Sequence, residues 1–490
     1  MCYTARPPFP GGPPVPSDLS RMPEFETLRS RFEKHGQSHV FRFWDRLDAA
    51  ERRGLLEQAA AIDLPAALRA ISTAREPLAP DVRKLEPAPV ELLPERGGDA
   101  VRWSEARQRG EAALRAGRVA AMVVAGGQAT RLGYAGPKGL FPIGPVTQRS
   151  LFELQAQKLR GLARRYGRRV PWYVMTSDAT DAQTRAFFQR SDRFGLAEDD
   201  VFCFRQGMLP SFDLDDRIVL ERPDRIMLNP DGHGGALTAL LASGALDDMQ
   251  RRGIDTLFYY QVDNPLVQIC DPVYLGFHLG SDAEMSCKVV RKLDPMEKVG
   301  VLARANAETL VIEYTELTDE CRHARDGSGE LRFWAGNMAL HVFSLPFLRR
   351  VSSAADCWLR FHVSEKKIPM VDDEGRPVMP AAPNGRKLER FVFDALPAAR
   401  AVCVVETSRE REYAPVKNAE GPDSPATARQ ALMARYRQWL AAAGIELPPP
   451  GTRLEIDHSR LDGEDDARAL GIRTLAQASD FIRTATGANV

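Results

Sequence analysis

The apolar residues change rhythm along the chain, and each change marks a different kind of element. Over residues 24–75, FETLRSRFEKHG and HVFRFWDRLDAAERRGLLEQAAAI place apolar side chains three and four residues apart with charges between them. That spacing predicts helices with one buried face. Prolines at 77, 80, 87, 89 and 94 interrupt the next stretch, which reads as a linker to residue 100. From residue 118 the rhythm changes again. RVAAMVVAGG is almost continuously apolar, as a strand buried on both faces must be, and RSLFELQAQKLRGLARRYG follows as an amphipathic helix. VPWYVMTS, DAQTRAFFQRS, VFCFRQGMLP, ALTALLASGALDDMQRRG and TLFYYQVDNPL continue the alternation of strand and helix. This order predicts an α/β domain with a largely parallel sheet.

Between 285 and 415 the pattern is richer in strands (MSCKVVRK, VGVLAR, LVIEYTEL, MALHVF, AVCVVET), which are expected to extend the sheet. Beyond Pro425, the helix TARQALMARYRQWLAAAG precedes a proline-rich break, ELPPPGTRL. For a chain of 490 residues two or three domains are expected. The predicted division is a disordered Pro/Gly-rich leader (1–23), a helical N-terminal region with linker (24–100), a central domain (101–425) and a small C-terminal domain (426–490).

Composition narrows the functional classes. The 66 basic and 66 acidic residues cancel, so no global field recruits nucleic acid or an anionic membrane. No stretch reaches the roughly 18 apolar residues of a membrane helix, and the leader lacks the apolar core of a secretory signal. Seven scattered cysteines without a CxxC pair suit a reducing cytosol, so a cytoplasmic location is expected. The eight histidines form no metal-binding pattern.

Candidate chemistry gathers in loops at the predicted carboxyl ends of strands, where open α/β sheets bind ligands. In VVAGGQATRLGYAGPKG, Gly126 and Gly127 let backbone N–H groups approach an anion, and Arg131 and Lys138 add two cations. The loop lacks both the P-loop pattern and the dinucleotide fingerprint; the alternative is a tight turn. Asp263 of QVDNPL stands where a carboxylate holds Mg²⁺ together with substrate phosphates, or simply caps a turn. PDGHGG presents Gly232 and His233 before a helix, either as backbone donors to a ligand or as an ordinary loop. Lys387 and Lys417 taken singly read as surface lysines.

Taken together, these segments closely resemble the UDP-sugar pyrophosphorylases, specifically the UDP-N-acetylhexosamine pyrophosphorylase branch. The family signature LAGGQGTRLG…PKG stands here as VAGGQATRLGYAGPKG, with Ala129 in place of a glycine. The likeness continues in order through PWYVMTS, FFQRSDRFGL, QGMLP, NPDGHGG, QVDNPLV, PMEKVGV, EYTEL, AGNMALH, EKKIPMVD, PNGRKLERFVFD and VKNAEG…PATARQAL, over roughly residues 25–435. Glucose-specific relatives resemble it less, and the hexapeptide β-helix of the bacterial bifunctional type is missing.

The resemblance implies a glycosyltransferase-A-like, Rossmann-type nucleotidyltransferase fold. It implies a Mg²⁺-dependent reaction of UTP with an N-acetylhexosamine 1-phosphate, giving the UDP-sugar and pyrophosphate. By motif, Ala125, Gly126, Gly127 and Lys138 would line the UTP phosphates, with Arg131 and Lys138 neutralising the leaving group. Gln206, Gly232 and Lys387 would reach the nucleotide, and Asp263 would bind metal and phosphate. Glu313, Tyr314, Asn337 and Phe391 would form the sugar pocket, joined by His233, where eukaryotic members usually carry Asn. Lys417 would hold the sugar phosphate. Small-molecule substrates and a monomer or weak homo-oligomer are expected. A broad or glucose-specific UDP-sugar pyrophosphorylase, or a non-catalytic UDP-sugar-binding regulator, are the alternatives. If position 129 demands a positive φ, its methyl strains the loop.

Overall fold

A computed structural model describes residues 23–73, 84–353 and 359–485. The leader therefore lies outside the described residues except for Pro23, as does the first part of the proline-rich linker. The chain divides into two compact units built from interleaved segments.

The smaller unit comprises the N-terminal helices with Leu209–Asn229 and Val363–Leu388. Its helices are α1 (Pro23–Lys34), α2 (Ala49–Ala61) and α3 (Leu64–Thr73). Asp48 accepts from the Ala50 and Glu51 amides and Glu51 returns the bond to Asp48, so α2 starts with a full capping box. Phe25 of α1 stacks on Trp44 with ring centroids 3.9 Å apart. Gln37 ties this helical part to the inserted segment: its Nε2 donates to Asp216 O at 3.0 Å and its Oε1 accepts from Ile218 N at 2.8 Å.

The larger unit is a three-layer α/β structure. Its strands are β1 (Val119–Val124), β2 (Trp172–Thr176), β3 (Val201–Arg205), β4 (Thr256–Gln261), β5 (Met285–Arg291), β6 (Val301–Ala305), β7 (Glu308–Ile312), β8 (Ala335–Ser344) and β9 (Val402–Glu406). With the short segment Glu86–Pro87, they make one mixed ten-stranded sheet among the described residues. One side of it is the parallel run β4-β1-β2-β3, which ends at β3 as an edge strand. β8 lies antiparallel against β4 and β5, and β5 pairs in parallel with β9.

Alternation decides which layer each strand residue enters. Ala121, Val123, Trp172, Val174, Phe258 and Tyr260 pack into one core; Ala120, Met122, Tyr173, Met175, Leu257 and Tyr259 pack into the core on the opposite face. Both faces are apolar because helices cover both. The helix Leu151–Tyr166, started by a Ser150–Glu153 capping box and closed by Gly167 at φ 69°, lies on the first face. The C-terminal segment builds on that same core through Ala428, Leu432, Tyr436, Leu454 and Ile482. Among the described residues no helix is long and apolar enough to cross a membrane.

The register sets the site. Val124 pairs with Gln261 and Met175, and Thr176 with Arg205, so four parallel strands end side by side. The loops after β1, β2, β3 and β4 leave the sheet along one edge.

Candidate active site

The chain leaving β1 spends its first amide on the sheet: Ala125 N donates to Met175 O at 2.8 Å. Gly126 then passes so close to Gln206 that a Cβ would sit 2.8 Å from its Oε1. The Gly126 carbonyl accepts from Ser177 Oγ at 2.7 Å. Gly127 differs, since open space surrounds the point where its Cβ would stand. The loop closes on itself through Ala129 N to Gly136 O and Lys138 N to Gly127 O. Ala129 has φ −96° and its methyl is buried in the core. The conformation is an ordinary one for alanine, so the departure from the family's glycine introduces no backbone strain.

Lys138 Nζ lies 3.3 Å from Asp263 Oδ2, joining the loops after β1 and β4. Both side chains are largely covered, at 18% and 14% exposure. Asp263 is held from behind, its carbonyl accepting from Val416 N at 2.9 Å. Asn264 is buried and fully engaged. Its Nδ2 donates to Glu412 O at 2.6 Å, and its Oδ1 accepts from the Leu266 and Ala414 amides. Lys417 therefore emerges beside Asp263, with Nζ 5.9 Å from the centre of the Tyr413 ring. Desolvation pulls the Lys417 pKa down, but Tyr413, Asp263 and Asp423 outweigh it and raise the pKa above the usual lysine value. Arg131 is exposed and makes no ion pair among the described residues.

PDGHGG is packed far more tightly. Asp231 N donates to Gly207 O and Asp231 O accepts from Arg390 N at 2.8 Å. Its buried carboxyl sits against Gly235, where a Cβ would fall 1.9 Å from Oδ1, and that oxygen has no hydrogen-bond partner. Burial, opposed by Arg390, pushes the Asp231 carboxyl up to about 7. Gly232 requires glycine twice: φ is +85°, and a Cβ would meet Arg390 O at 2.5 Å. His233 Nδ1 accepts from Val392 N at 3.2 Å, and its ring stacks with Phe391 at 5.3 Å. Desolvation lowers the His233 pKa to about 4, so the ring is neutral and carries its proton on Nε2.

Glu313 and Asn337 meet across Gly300. Asn337 N donates to Gly300 O at 2.8 Å, and Glu313 Oε1 lies 2.9 Å from where a Gly300 Cβ would stand. Burial first, then Glu316, raises the Glu313 pKa; His362 and Lys417 act on it in the opposite sense. Tyr314 contributes its carbonyl to Arg322 at 3.1 Å. Lys387 is half-buried and belongs to the smaller unit, on the segment Gly385–Arg390.

The larger unit thus gathers Lys138, Asp263 and Lys417 at one point, Gly126 and Gln206 at a second, and Gly232, His233 and Phe391 at a third. Sequence reading assigned no role to Ser177, Asp231, Asn264 or the His362–Asp394 pair. PDGHGG was visible as a loop, but only the fold reveals which of its side chains turn inward. Among the described residues no three His, Cys, Asp or Glu side chains stand together as a metal cage.

Comparison with known proteins identifies the family. The sequence model of the UTP–glucose-1-phosphate uridylyltransferase family matches residues 85–444. The chain is 39% identical over 466 residues to the UDP-N-acetylhexosamine pyrophosphorylase-like protein 1 of Xenopus tropicalis, covering 91% of this chain and 90% of that one. It is 36% identical to the UDP-N-acetylglucosamine pyrophosphorylase of Saccharomyces cerevisiae, over 84% and 90% of the two chains. Among solved structures it is similar to the Trypanosoma brucei uridine diphosphate N-acetylglucosamine pyrophosphorylase in complex with inhibitor. There the TM-score is 0.75, the identity 29%, and 87% of each chain is covered.

Proposed function

The chain belongs to the UTP–glucose-1-phosphate uridylyltransferase family, and from that premise we propose that it makes UDP-N-acetylhexosamine, with UDP-N-acetylglucosamine the foremost product. The substrates are UTP and an N-acetylhexosamine 1-phosphate, and pyrophosphate is released. The observation that carries this reading is the meeting of Lys138, Asp263 and Lys417 at the ends of two parallel strands, beside a glycine with open space before it.

A sugar phosphate oxygen attacks the α-phosphorus of UTP, forming the new P–O bond while the bond to the β-phosphate oxygen breaks and pyrophosphate leaves. The nucleophile is already ionised, so no general base is required; the obstacle is repulsion between two polyanions. Arg131 and Lys138 neutralise the departing pyrophosphate and Lys417 orients the attacking phosphate. Gly126 and Gly127 let the main chain reach the triphosphate, while Gln206 and Gly232 hold the uridine side. Glu313, Tyr314, Asn337, His233 and Phe391 surround the sugar.

Asp263 suits a Mg²⁺ ligand: it is a partly accessible carboxylate that already attracts a cation, and a single protein carboxylate is typical where substrate phosphates complete the shell. Bound Mg²⁺ would supply charge neutralisation at the phosphates. The buried thiols Cys270, Cys287 and Cys403, none of them in a disulfide, suit a reducing cytoplasm, where the chain would act as a monomer or weak homo-oligomer.

The test is pyrophosphate release from UTP and Mg²⁺ across a panel of hexose 1-phosphates. The highest kcat/KM is expected with N-acetylglucosamine 1-phosphate. A preference for glucose 1-phosphate would reassign the substrate, and UDP-sugar binding without pyrophosphate release would make the chain a regulator instead.

A further inference from the structure

His362 and Asp394 form a pair that the proposed reaction leaves unused. His362 Nε2 lies 2.7 Å from Asp394 Oδ2, and the other carboxylate oxygen faces Arg360 Nε at 3.5 Å. A carboxylate only accepts hydrogen bonds, so the imidazole proton sits on Nε2. In the neutral ring Nδ1 is then a bare acceptor. It has no hydrogen-bond partner among the described residues, and it is not sealed from solvent.

The ring plane is fixed as well as its tautomer. His362 stacks on Phe391 with centroids 4.1 Å apart and 27° between planes. The same Phe391 stacks with His233, whose Nδ1 is spent on Val392 N and whose Nε2–H has no hydrogen-bond partner among the described residues. Two oriented imidazoles thus flank one aromatic ring with open nitrogens of opposite polarity: His233 offers a donor and His362 an acceptor. In its protonated form His362 lowers the Glu313 pKa, so the ring stands near Glu313, among the residues read as the sugar pocket. An unpartnered, pre-oriented acceptor contributes nothing to the fold, so its hydrogen bond remains available to a ligand.

We propose that His362, held by Asp394, is a specificity residue whose Nδ1 accepts a hydrogen bond from a donor on the sugar, either the acetamido N–H or a ring hydroxyl. This rests on reading Glu313, Asn337 and Phe391 as the sugar pocket. The experiment measures KM and kcat for N-acetylglucosamine 1-phosphate, glucose 1-phosphate and UTP in wild type, His362→Phe and His362→Asn, with thermal melts alongside. His362→Phe keeps an aromatic stack and removes both nitrogens; His362→Asn restores an acceptor near the Nδ1 position.

The expected result is a rise of about tenfold in the sugar phosphate KM for His362→Phe, the worth of one hydrogen bond. The KM for UTP should stay within about twofold, and His362→Asn should recover part of the loss. A rise confined to the N-acetylated sugar identifies the amide as donor; an equal rise for both sugars identifies a hydroxyl. The proposal is overturned if the sugar KM does not move, if the UTP KM moves with it, or if His362→Asn is no better than His362→Phe. Should His362→Phe fail to fold, an unchanged sugar KM in Asp394→Asn, whose amide releases the tautomer, overturns it equally. An inactive wild type would sink the functional reading itself, whereas an active wild type with an indifferent His362 sinks only this inference.

Discussion

The two glycine-rich loops of the site look alike in sequence and are built for opposite purposes. AGGQATRLG leaves β1 with Gly127 facing open space and delivers Lys138 to a charged partner, Asp263. PDGHGG has no such opening. Gly232 and Gly235 are glycine because Arg390 and Asp231 occupy the volume a side chain would need, and its polar groups are a buried carboxyl and a neutral imidazole. One loop omits side chains to admit a ligand, the other to admit its own protein. Glycine content alone does not locate a phosphate; the charges that converge beside it do.

The contrast breaks most visibly at the charges. Lys138→Ala and Asp263→Ala should each lower turnover at least about a hundredfold, the effect of removing one charge-bearing group worth about 2.7–4 kcal/mol in the barrier. Circular dichroism should stay native, because neither side chain belongs to the apolar core. Wild-type-like turnover in either purified variant would remove the first loop from the chemistry.

The second loop should respond through stability instead. The native carboxyl of Asp231 titrates near 7 rather than near 3.8, so between about pH 4 and pH 7 the folded protein binds more protons than the unfolded chain. Stability attributable to this group is complete at acid pH and falls as pH rises through 7, by a few kcal/mol in total. Asp231→Asn should flatten that part of the melting temperature profile and gain most, relative to wild type, above pH 7. Parallel profiles for the two proteins would show that Asp231 is ionised throughout.

The smallest effect sharpens the first loop. Ala129→Gly restores the family's residue at a position whose φ needs no glycine, so it should lower stability by about 0.4–1 kcal/mol through the unfolded chain. Turnover should remain within about twofold. A marked gain in activity would mean that the methyl distorts the loop when substrate is bound.

Much of this was legible in the sequence because it is local. The buried strand ahead of Gly126, the loops at strand ends and the candidate metal carboxylate Asp263 are each specified within a few residues. The α/β sheet followed from continuous apolar runs, and the later strands do extend it. What stayed hidden depends on distance along the chain. His362 and Asp394 are separated by 32 residues and carry no motif between them. Asp231 is polar by composition, and only tertiary packing against Gly235 and Arg390 makes it a buried, weakly acidic group. Arg131, read from sequence as a second cation for the same phosphates, is exposed. The feared strain at Ala129 vanished once φ was known, because a family preference for glycine does not by itself state which dihedral angle it serves.

The clasp around Asn264 has a consequence for motion. Its amide bonds to Glu412 and Ala414, together with the Asp263 carbonyl bonded to Val416, stitch the turn after β4 to the segment that carries Lys417. Two stretches far apart in sequence therefore open as one cooperative unit. The amides of Ala414 and Val416 should exchange with solvent deuterium together, at one rate set by that shared opening. A fluctuation that frees the carboxylate also releases the lysine, so the half-assembled site, with one charge in place and the other adrift, is never a resting state.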